Sequence, residues 1–218
     1  MEIAILLFNG ITALDAVGPY EVLSRLPDAR VRFVAAEPGP QRADSGFLTL
    51  TAVDALSDVT TPDIVVIPGG PGTRDLLADT TVLDWIRGVH KNSQWTTSVC
   101  TGALLLAAAG ILKDEPATTH WNARETLRAL GAQPIPTRVV RAGKVITAAG
   151  VSAGIDMAIQ LARHVAGDEI AQALQLVIEY DPQPPFNIGA LERAPARIIA
   201  LASELLRREQ PAGPGFPV

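Results

Sequence analysis

Four short runs of apolar or β-branched residues constrain the fold more than any other feature of this sequence. They read IAILLF (Ile3–Phe8), VRFVAAE (Val31–Glu37), DIVVIPGGPG (Asp63–Gly72) and WTTSV (Trp95–Val99). Runs of this kind are typical of strands that are buried on both faces. Segments with apolar residues at helical spacing follow three of the runs, so strands alternate with helices. The sequence therefore predicts an α/β domain in which helices cover both faces of a parallel sheet.

The remaining patterns complete this domain. GFLTLTAV favours an edge strand or a hairpin, and TRVVRAGKVITAAG predicts a hairpin that turns at Ala142-Gly143. SAGIDMAIQLARHVAG is helical, and a last amphipathic helix is predicted for Ala194–Arg208. No segment resembles a flexible linker. Residues 1–218 are therefore predicted to form a single domain, with 211–218 as a frayed tail.

Charge and cysteine content limit the partners and the compartment. The chain has 18 Lys and Arg against 23 Asp and Glu, a net charge of −5, and contains no basic run. We therefore expect neither a nucleic acid nor a membrane as partner. The N-terminus lacks a signal-peptide pattern, and no apolar run approaches the ~20 residues that span a bilayer. A single cysteine forms no internal disulfide, which favours a cytoplasmic location.

Four turn-like segments are predicted to meet at one edge of the sheet. They are 10–15, 69–72, 100–102 and 150–154, each at the end of a predicted strand. Because the carboxyl ends of parallel strands share one edge, where α/β proteins place their reactive groups, we expect the functional site there.

The only cysteine, Cys100, lies within WTTSVCTGALLLAAAG, where strand propensity gives way to helix propensity. A lone cysteine is more often an inert core residue than a nucleophile. On a tight strand-to-helix turn, however, its side chain points out of the sheet, and Gly102 permits the close packing of such a turn. The helix N-terminus is then expected to lower the pKa of the thiol, and the Thr101 N–H to stabilise negative charge on a substrate.

Three segments together resemble one known family. VCTGALLLAAAGILKDEPATTHW, ITALDAVGPYEVL and EYDPQPPFN are similar to the ThiJ/PfpI superfamily, most of all to its isocyanide hydratase branch. The ATTHW ending also occurs in the sensor domains of some AraC-type regulators. The resemblance implies a flavodoxin-like fold, similar to class I glutamine amidotransferases, with the cysteine on a nucleophile elbow. It also implies a homodimer.

The resemblance assigns a catalytic role to three residues. Cys100 is the nucleophile, and Asp15 is the carboxylic acid beside it, although Asp15 could instead only cap a helix. Glu21 is a weaker candidate because it faces elsewhere on that helix. Because like charges repel, the pair should hold one proton. A helix N-terminus favours the thiolate, so this proton should lie mainly on Asp15. The Thr101 hydroxyl is expected to bind the Asp15 carboxyl.

Four further residues are predicted to contact the substrate. The Gly-rich turn supplies a backbone N–H in the family, which matches Gly69 or Gly70. Gly150 is expected to form a pocket wall, and His120 lies beside the elbow. His120 is either a base for the cysteine or the anchor of a buried hydrogen bond, and we favour the anchor.

Other reaction classes lack their required residues. Protease-like relatives have His directly after the cysteine, where this chain has Thr101, and an amidotransferase needs a late His-x-Glu pair, whereas Val165 and Ala166 follow His164. Three scattered histidines have no metal-ligand spacing, and GGPG matches neither a P-loop nor a dinucleotide fingerprint. No metal and no cofactor are therefore predicted.

The predicted activity is hydration of an isocyanide to an N-substituted formamide through a thioimidate on Cys100. One alternative is a glyoxalase-like hydratase of reactive dicarbonyls, which needs His120 to shuttle protons. The other is a ligand-sensing domain. Since the chain ends soon after its last predicted helix, we expect no DNA-binding domain.

Overall fold

The structure, a computed structural model, describes residues 1–208 as short strands that alternate with helices. The strands are β1 (Glu2–Leu6), β2 (Arg30–Ala35), β3 (Gly39–Arg42), β4 (Thr49–Ala52), β5 (Asp54–Ala55), β6 (Ile64–Ile67), β7 (Trp95–Val99), β8 (Pro116–Ala117), β9 (Gln133–Pro134), β10 (Val139–Ala142) and β11 (Val145–Ala148). The α-helices are α1 (Ala13–Leu23), α2 (Thr73–Leu76), α3 (Thr80–Asn92), α4 (Gly102–Ala108), α5 (Arg124–Ala129), α6 (Ala153–Ala166), α7 (Asp168–Val177) and α8 (Ala196–Arg208).

A seven-stranded sheet dominates the part of the chain that the structure describes. Its order is β10-β11-β7-β6-β1-β2-β5, and all neighbours pair in parallel except β10 and β11. The two central strands, β1 and β6, are almost wholly apolar and buried, as their sequences predict. Their register pairs Ile3 with Ile64 and Ile5 with Val66. The predicted parallel α/β sheet is confirmed.

The helices form two groups by their mutual contacts. α1 packs on α6 and α6 on α7, whereas α3 packs on α4 and α4 on α5. Apolar residues recur on one side of α3 at Val82, Leu83, Ile86 and Val89, and all of them are buried. The longest helix, α6, has 14 residues, and no helix within 1–208 is long and apolar enough to cross a membrane.

The segment after β2 differs in part from the prediction. GFLTLTAV contributes β4, which pairs antiparallel with β3 in a separate ribbon, so the hairpin alternative is correct. The strand β3 has no counterpart in the prediction, and Gly39 and Pro40 belong to it. A two-stranded ribbon tolerates proline because each strand is an edge strand that needs few N–H donors. The short β8–β9 pair has no signal in the sequence, since a proline stands in each strand.

The chain divides into two compact units, Met1–Tyr180 and a second that begins at Asp181. In the second unit, α8 begins at Ala196, two residues later than predicted, directly after Pro195. Its side chains Leu201 and Leu205 are 52% and 51% exposed. The single-domain prediction for 1–218 stays a prediction, and the predicted tail at 211–218 lies outside the described residues.

Candidate active site

Cys100 occupies the turn between β7 and α4 in a left-handed backbone conformation. Its φ is +56°, a value that residues other than glycine rarely adopt, and it is 5% exposed. Its N–H donates to the carbonyls of Ala148 (3.1 Å) and Ala149 (2.9 Å), and the Thr119 hydroxyl donates to its carbonyl (2.8 Å). These contacts hold the strained residue in place, and they confirm the predicted strand–turn–helix elbow.

Gly102 allows α4 to begin directly above the end of β6. A Cβ atom at this position would lie 2.0 Å from the Ile67 carbonyl oxygen and 2.7 Å from that of Pro68. Both are backbone atoms, so neither can turn aside as a flexible side chain could. The helix that follows Cys100 is therefore held this close to the sheet only with glycine at 102.

Gly102→Ala is expected to lower the free energy of unfolding by about 3 kcal/mol or more, because the new methyl group overlaps fixed backbone. The measurement is urea unfolding followed by circular dichroism. Gly88→Ala is the matched control: its Cβ would meet nothing within 4 Å in the middle of α3. That variant should gain up to about 1 kcal/mol from helix propensity. Equal stability of the two variants would contradict the packing argument.

Asp15 lies in the first turn of α1 with its carboxyl group fully buried. Its Oδ2 accepts a hydrogen bond of 2.9 Å from the Gly69 N–H. Its Oδ1 is buried and has no well-formed hydrogen bond to any residue from 1 to 208. The Cys100 thiol is nevertheless close enough to Asp15 for the two side chains to alter each other's ionisation. The structure thus brings together the predicted nucleophile and the predicted acid.

The buried carboxyl group is a much weaker acid than an ordinary aspartate. Burial raises the pKa of Asp15 to about 7, while the Gly69 hydrogen bond and the Cys100 thiol lower it in part. The negative charge of Asp44 raises it further. A carboxyl group with this pKa can both accept and donate a proton near neutral pH.

The thiol differs from the expectation that the helix N-terminus would lower its pKa. Burial, followed by the negative charge of Asp15, raises the pKa of Cys100 well above its usual range. Hydrogen bonds from the Val151 and Thr101 N–H groups act in the opposite direction but do not outweigh burial. The pKa values of both groups are thus raised, as expected for a pair of like charges that holds one proton near neutral pH.

The Gly-rich turn binds two of the residues predicted to be catalytic, Asp15 and Thr101. The Gly69 N–H is used by Asp15, and the Gly70 N–H donates to the Thr101 hydroxyl oxygen at 2.8 Å. That hydroxyl donates back to the Gly70 carbonyl at 3.2 Å. The Thr101 side chain was expected to bind Asp15, but it binds Gly70 instead. The two glycine N–H groups that were candidates for binding the substrate therefore both donate to protein atoms.

Gly150 and His120 lie against each other beside the elbow. A Cβ at Gly150 would be 2.7 Å from Cδ2 of the imidazole ring, so a larger residue there would require the ring to shift. His120 Nδ1 lies 2.6 Å from Asn122 Oδ1, and burial lowers the pKa of the ring. This hydrogen bond is exposed, so the role of His120 as the anchor of a buried hydrogen bond stays a prediction. Within residues 1–208, no cluster of His, Cys, Asp and Glu side chains could hold a metal ion.

The four predicted segments do converge at one edge of the sheet. The Thr12 N–H donates to the Gly69 carbonyl (2.9 Å), Gly70 binds Thr101, and Cys100 binds Ala149, next to Gly150. Three participants were missed from the sequence: Thr119, Asp44 and Val151, whose φ of +34° is strained. Only the paired threonines of ATTHW offered a signal, since two β-branched polar residues beside a glycine-rich elbow favour buried hydroxyl contacts.

Comparison with known proteins finds relatives that match most of the chain. The model of the DJ-1/PfpI family matches residues 1–164. An isonitrile hydratase of Pseudomonas putida is 41% identical over 199 residues, which cover 91% of this chain and 87% of that protein. A glutathione-independent glyoxalase of Caenorhabditis elegans, DJR-1.2, is 29% identical over 147 residues, or 66% of this chain and 78% of that one.

A solved structure is similar over most of the chain. The crystal structure of a ThiJ/PfpI family protein from Pseudomonas syringae superposes with a TM-score of 0.88 at 35% sequence identity. The match covers 95% of this chain and 88% of that one. Together with the sheet order, it confirms the predicted flavodoxin-like α/β fold.

Proposed function

The chain belongs to the DJ-1/PfpI family, and from that premise we propose that it hydrates isocyanides (R–N≡C) to N-substituted formamides. The observation that carries the proposal is the 41% identity to an isonitrile hydratase over 91% of this chain. The site supports it because a buried thiol faces a buried carboxyl group of raised pKa. These are a nucleophile and a proton carrier in contact, as the reaction requires.

In the first half of the reaction, the Cys100 thiol adds across the terminal isocyanide carbon. The Asp15 carboxylate accepts the thiol proton while the sulfur attacks that carbon. The neutral carboxyl group then returns the proton to the same carbon. The product is a thioimidate, R–N=CH–S, on Cys100, and Asp15 is again a carboxylate.

In the second half, water adds to the thioimidate carbon. Asp15 accepts a proton from the water and passes it to the nitrogen, which gives R–NH–CH(OH)–S on Cys100. The carbon–sulfur bond then breaks, the hydroxyl oxygen becomes the formamide carbonyl, and its proton returns to the sulfur. One water is consumed, and the thiol and carboxylate are restored without any cofactor.

The positions of the other residues support these steps. The Val151 and Thr101 N–H groups, which point at the sulfur, stabilise negative charge on it during attack and release. The Gly69 N–H holds the Asp15 carboxyl group in a fixed orientation. We retain Thr101, Gly69, Gly70, Gly150 and His120 as residues that shape the site. The homodimer and the cytoplasmic location stay predictions.

The test is turnover of an aryl isocyanide by the purified full-length protein, with formamide formation followed by ultraviolet absorbance. We expect many turnovers per protein molecule. Methylglyoxal is the parallel substrate, and His120→Ala is the discriminating variant. Consumption of methylglyoxal that requires His120, without isocyanide turnover, would favour the glyoxalase-like alternative. Stoichiometric binding without turnover of either compound would favour the sensing domain.

A further inference from the structure

Asp44 lies on the turn of the β3–β4 ribbon and fastens that turn to the start of α1. Its Oδ2 accepts a hydrogen bond of 2.6 Å from the Thr12 hydroxyl, and its Oδ1 accepts one of 2.7 Å from the Ser45 N–H. Its own N–H donates to the Ile11 carbonyl at 2.9 Å. Both oxygens of the carboxyl group accept a hydrogen bond, as expected for an ionised aspartate, which has acceptors only. The turn thus places a fixed negative charge beside the helix that carries Asp15.

A short chain of hydrogen bonds leads from Asp44 to the catalytic carboxyl group. Thr12 binds Asp44 through its hydroxyl group, and its N–H donates to the Gly69 carbonyl at 2.9 Å. The Gly69 N–H then donates to Asp15 Oδ2 at 2.9 Å. A change at Asp44 therefore reaches Asp15 both through space, as charge, and through the placement of Thr12.

Two other carboxylates near α1 differ from Asp44 in their partners. The groups that act on the ionisation of Asp15 are the Cys100 thiol and the Asp44 carboxylate. The carboxylates on α1 itself and on the facing helix α6 are held in ion pairs, Glu21 with Arg25 and Asp156 with Arg138. Asp44, in contrast, binds neutral donors, so its charge is not cancelled by those contacts.

From this arrangement we infer that Asp44 is a positioning residue for the Asp15–Cys100 pair: its hydrogen bonds to Thr12 and Ile11 fix where α1 begins and keep a negative charge beside that helix. The inference rests on the pair that the proposed function uses, but not on the identity of the substrate. A nearby negative charge disfavours a second carboxylate, and this agrees with the raised pKa of Asp15. A stronger base takes the thiol proton more completely during attack.

The test measures how the alkylation rate of Cys100 by iodoacetamide depends on pH. Because Cys100 is the only cysteine, every alkylation event reports on the pair. In the wild type the rate should rise through the ionisation of Asp15, near pH 7. Asp44→Asn removes the charge, while its amide can still bind Thr12 and Ser45. We expect the midpoint of the rise to move down by about half a pH unit.

Two further variants separate charge from geometry. Asp28→Asn removes a negative charge from an exposed residue just before β2, at the amino-terminal end of the parallel strands. This variant should leave the midpoint of the alkylation rate unchanged. Thr12→Val keeps the Asp44 charge and removes the hydroxyl, so it should lower the maximum rate at an unchanged midpoint. If Asp44→Asn does not fold, Asp44→Ser takes its place.

Three results would overturn the inference. They are an unmoved midpoint in the Asp44 variant, an equal shift in Asp28→Asn, and an equal shift in Thr12→Val. None of them depends on isocyanide turnover. A protein that turns over no isocyanide but shows the expected shift would therefore refute the proposed function and leave the role of Asp44 intact.

Discussion

Cys100→Ala is expected to abolish formamide formation from an aryl isocyanide, with a fall in kcat/KM of about 10⁴-fold or more. The chain has no second cysteine to replace the thiol as nucleophile. Asp15 alone could only polarise a water molecule, without the covalent intermediate that divides hydration into two easier steps. Turnover and thioimidate formation, the latter by mass spectrometry of the intact protein, would measure the loss.

The fold of this variant should survive, so the loss can be assigned to chemistry. Alanine adopts the φ of +56° at position 100 no better and no worse than cysteine does. Removal of one buried sulfur atom costs about 1 kcal/mol. A wild-type circular dichroism spectrum is therefore the control, and Cys100→Ser tests whether a hydroxyl group can substitute. Turnover above a few per cent in Cys100→Ala would contradict a covalent mechanism.

The central strands and the place of the site could be predicted because their signals are local. β1 and β6 are short apolar runs that end in Gly or Pro turns, and chain order then brings their carboxyl ends to one edge. Cys100 was recognisable because strand propensity changes to helix propensity at that residue. Each of these inferences needs only neighbouring residues and one topological rule.

The chemistry inside the site could not be predicted because it depends on residues distant in the chain. Gly69 binds Asp15 across 54 positions, and Asp44 reaches Thr12 across 32. Whether a glycine N–H faces a substrate or a carboxyl group depends on how these distant segments pack together. The pKa of Cys100 was misjudged for the same reason, since a helix N-terminus is visible in the sequence and the depth of burial is not.

Asp15→Asn is expected to reduce kcat/KM for isocyanide hydration by about 10²- to 10⁴-fold at pH 8. The amide cannot accept the thiol proton, and burial keeps the thiol of Cys100 protonated without that help. Asparagine can still accept the hydrogen bond from the Gly69 N–H, so the position of the side chain should be preserved. Steady-state turnover measures the loss, and activity within threefold of the wild type would contradict the role of Asp15.

The same variant should be more stable than the wild type, and increasingly so as the pH rises. The pKa of Asp15 is about 7 in the folded protein and 3.8 in the unfolded chain. A raised pKa adds stability that is present below pH 3.8 and is lost as the pH rises through 7, because the buried group must then ionise. Asparagine has no charge to bury. Its advantage in unfolding free energy should therefore grow by about 2 to 3 kcal/mol between pH 5 and pH 8.

Urea unfolding at the two pH values measures this difference, with Asp28→Asn as the exposed control that should show no such trend. A purely structural aspartate would lose both activity and stability on substitution. Loss of activity together with a gain in stability is the pattern of a group that is buried at a cost because the reaction needs it. An advantage that stays constant from pH 5 to pH 8 would show that the Asp15 carboxyl group does not titrate in this range, and the proton transfers assigned to it would then require another residue.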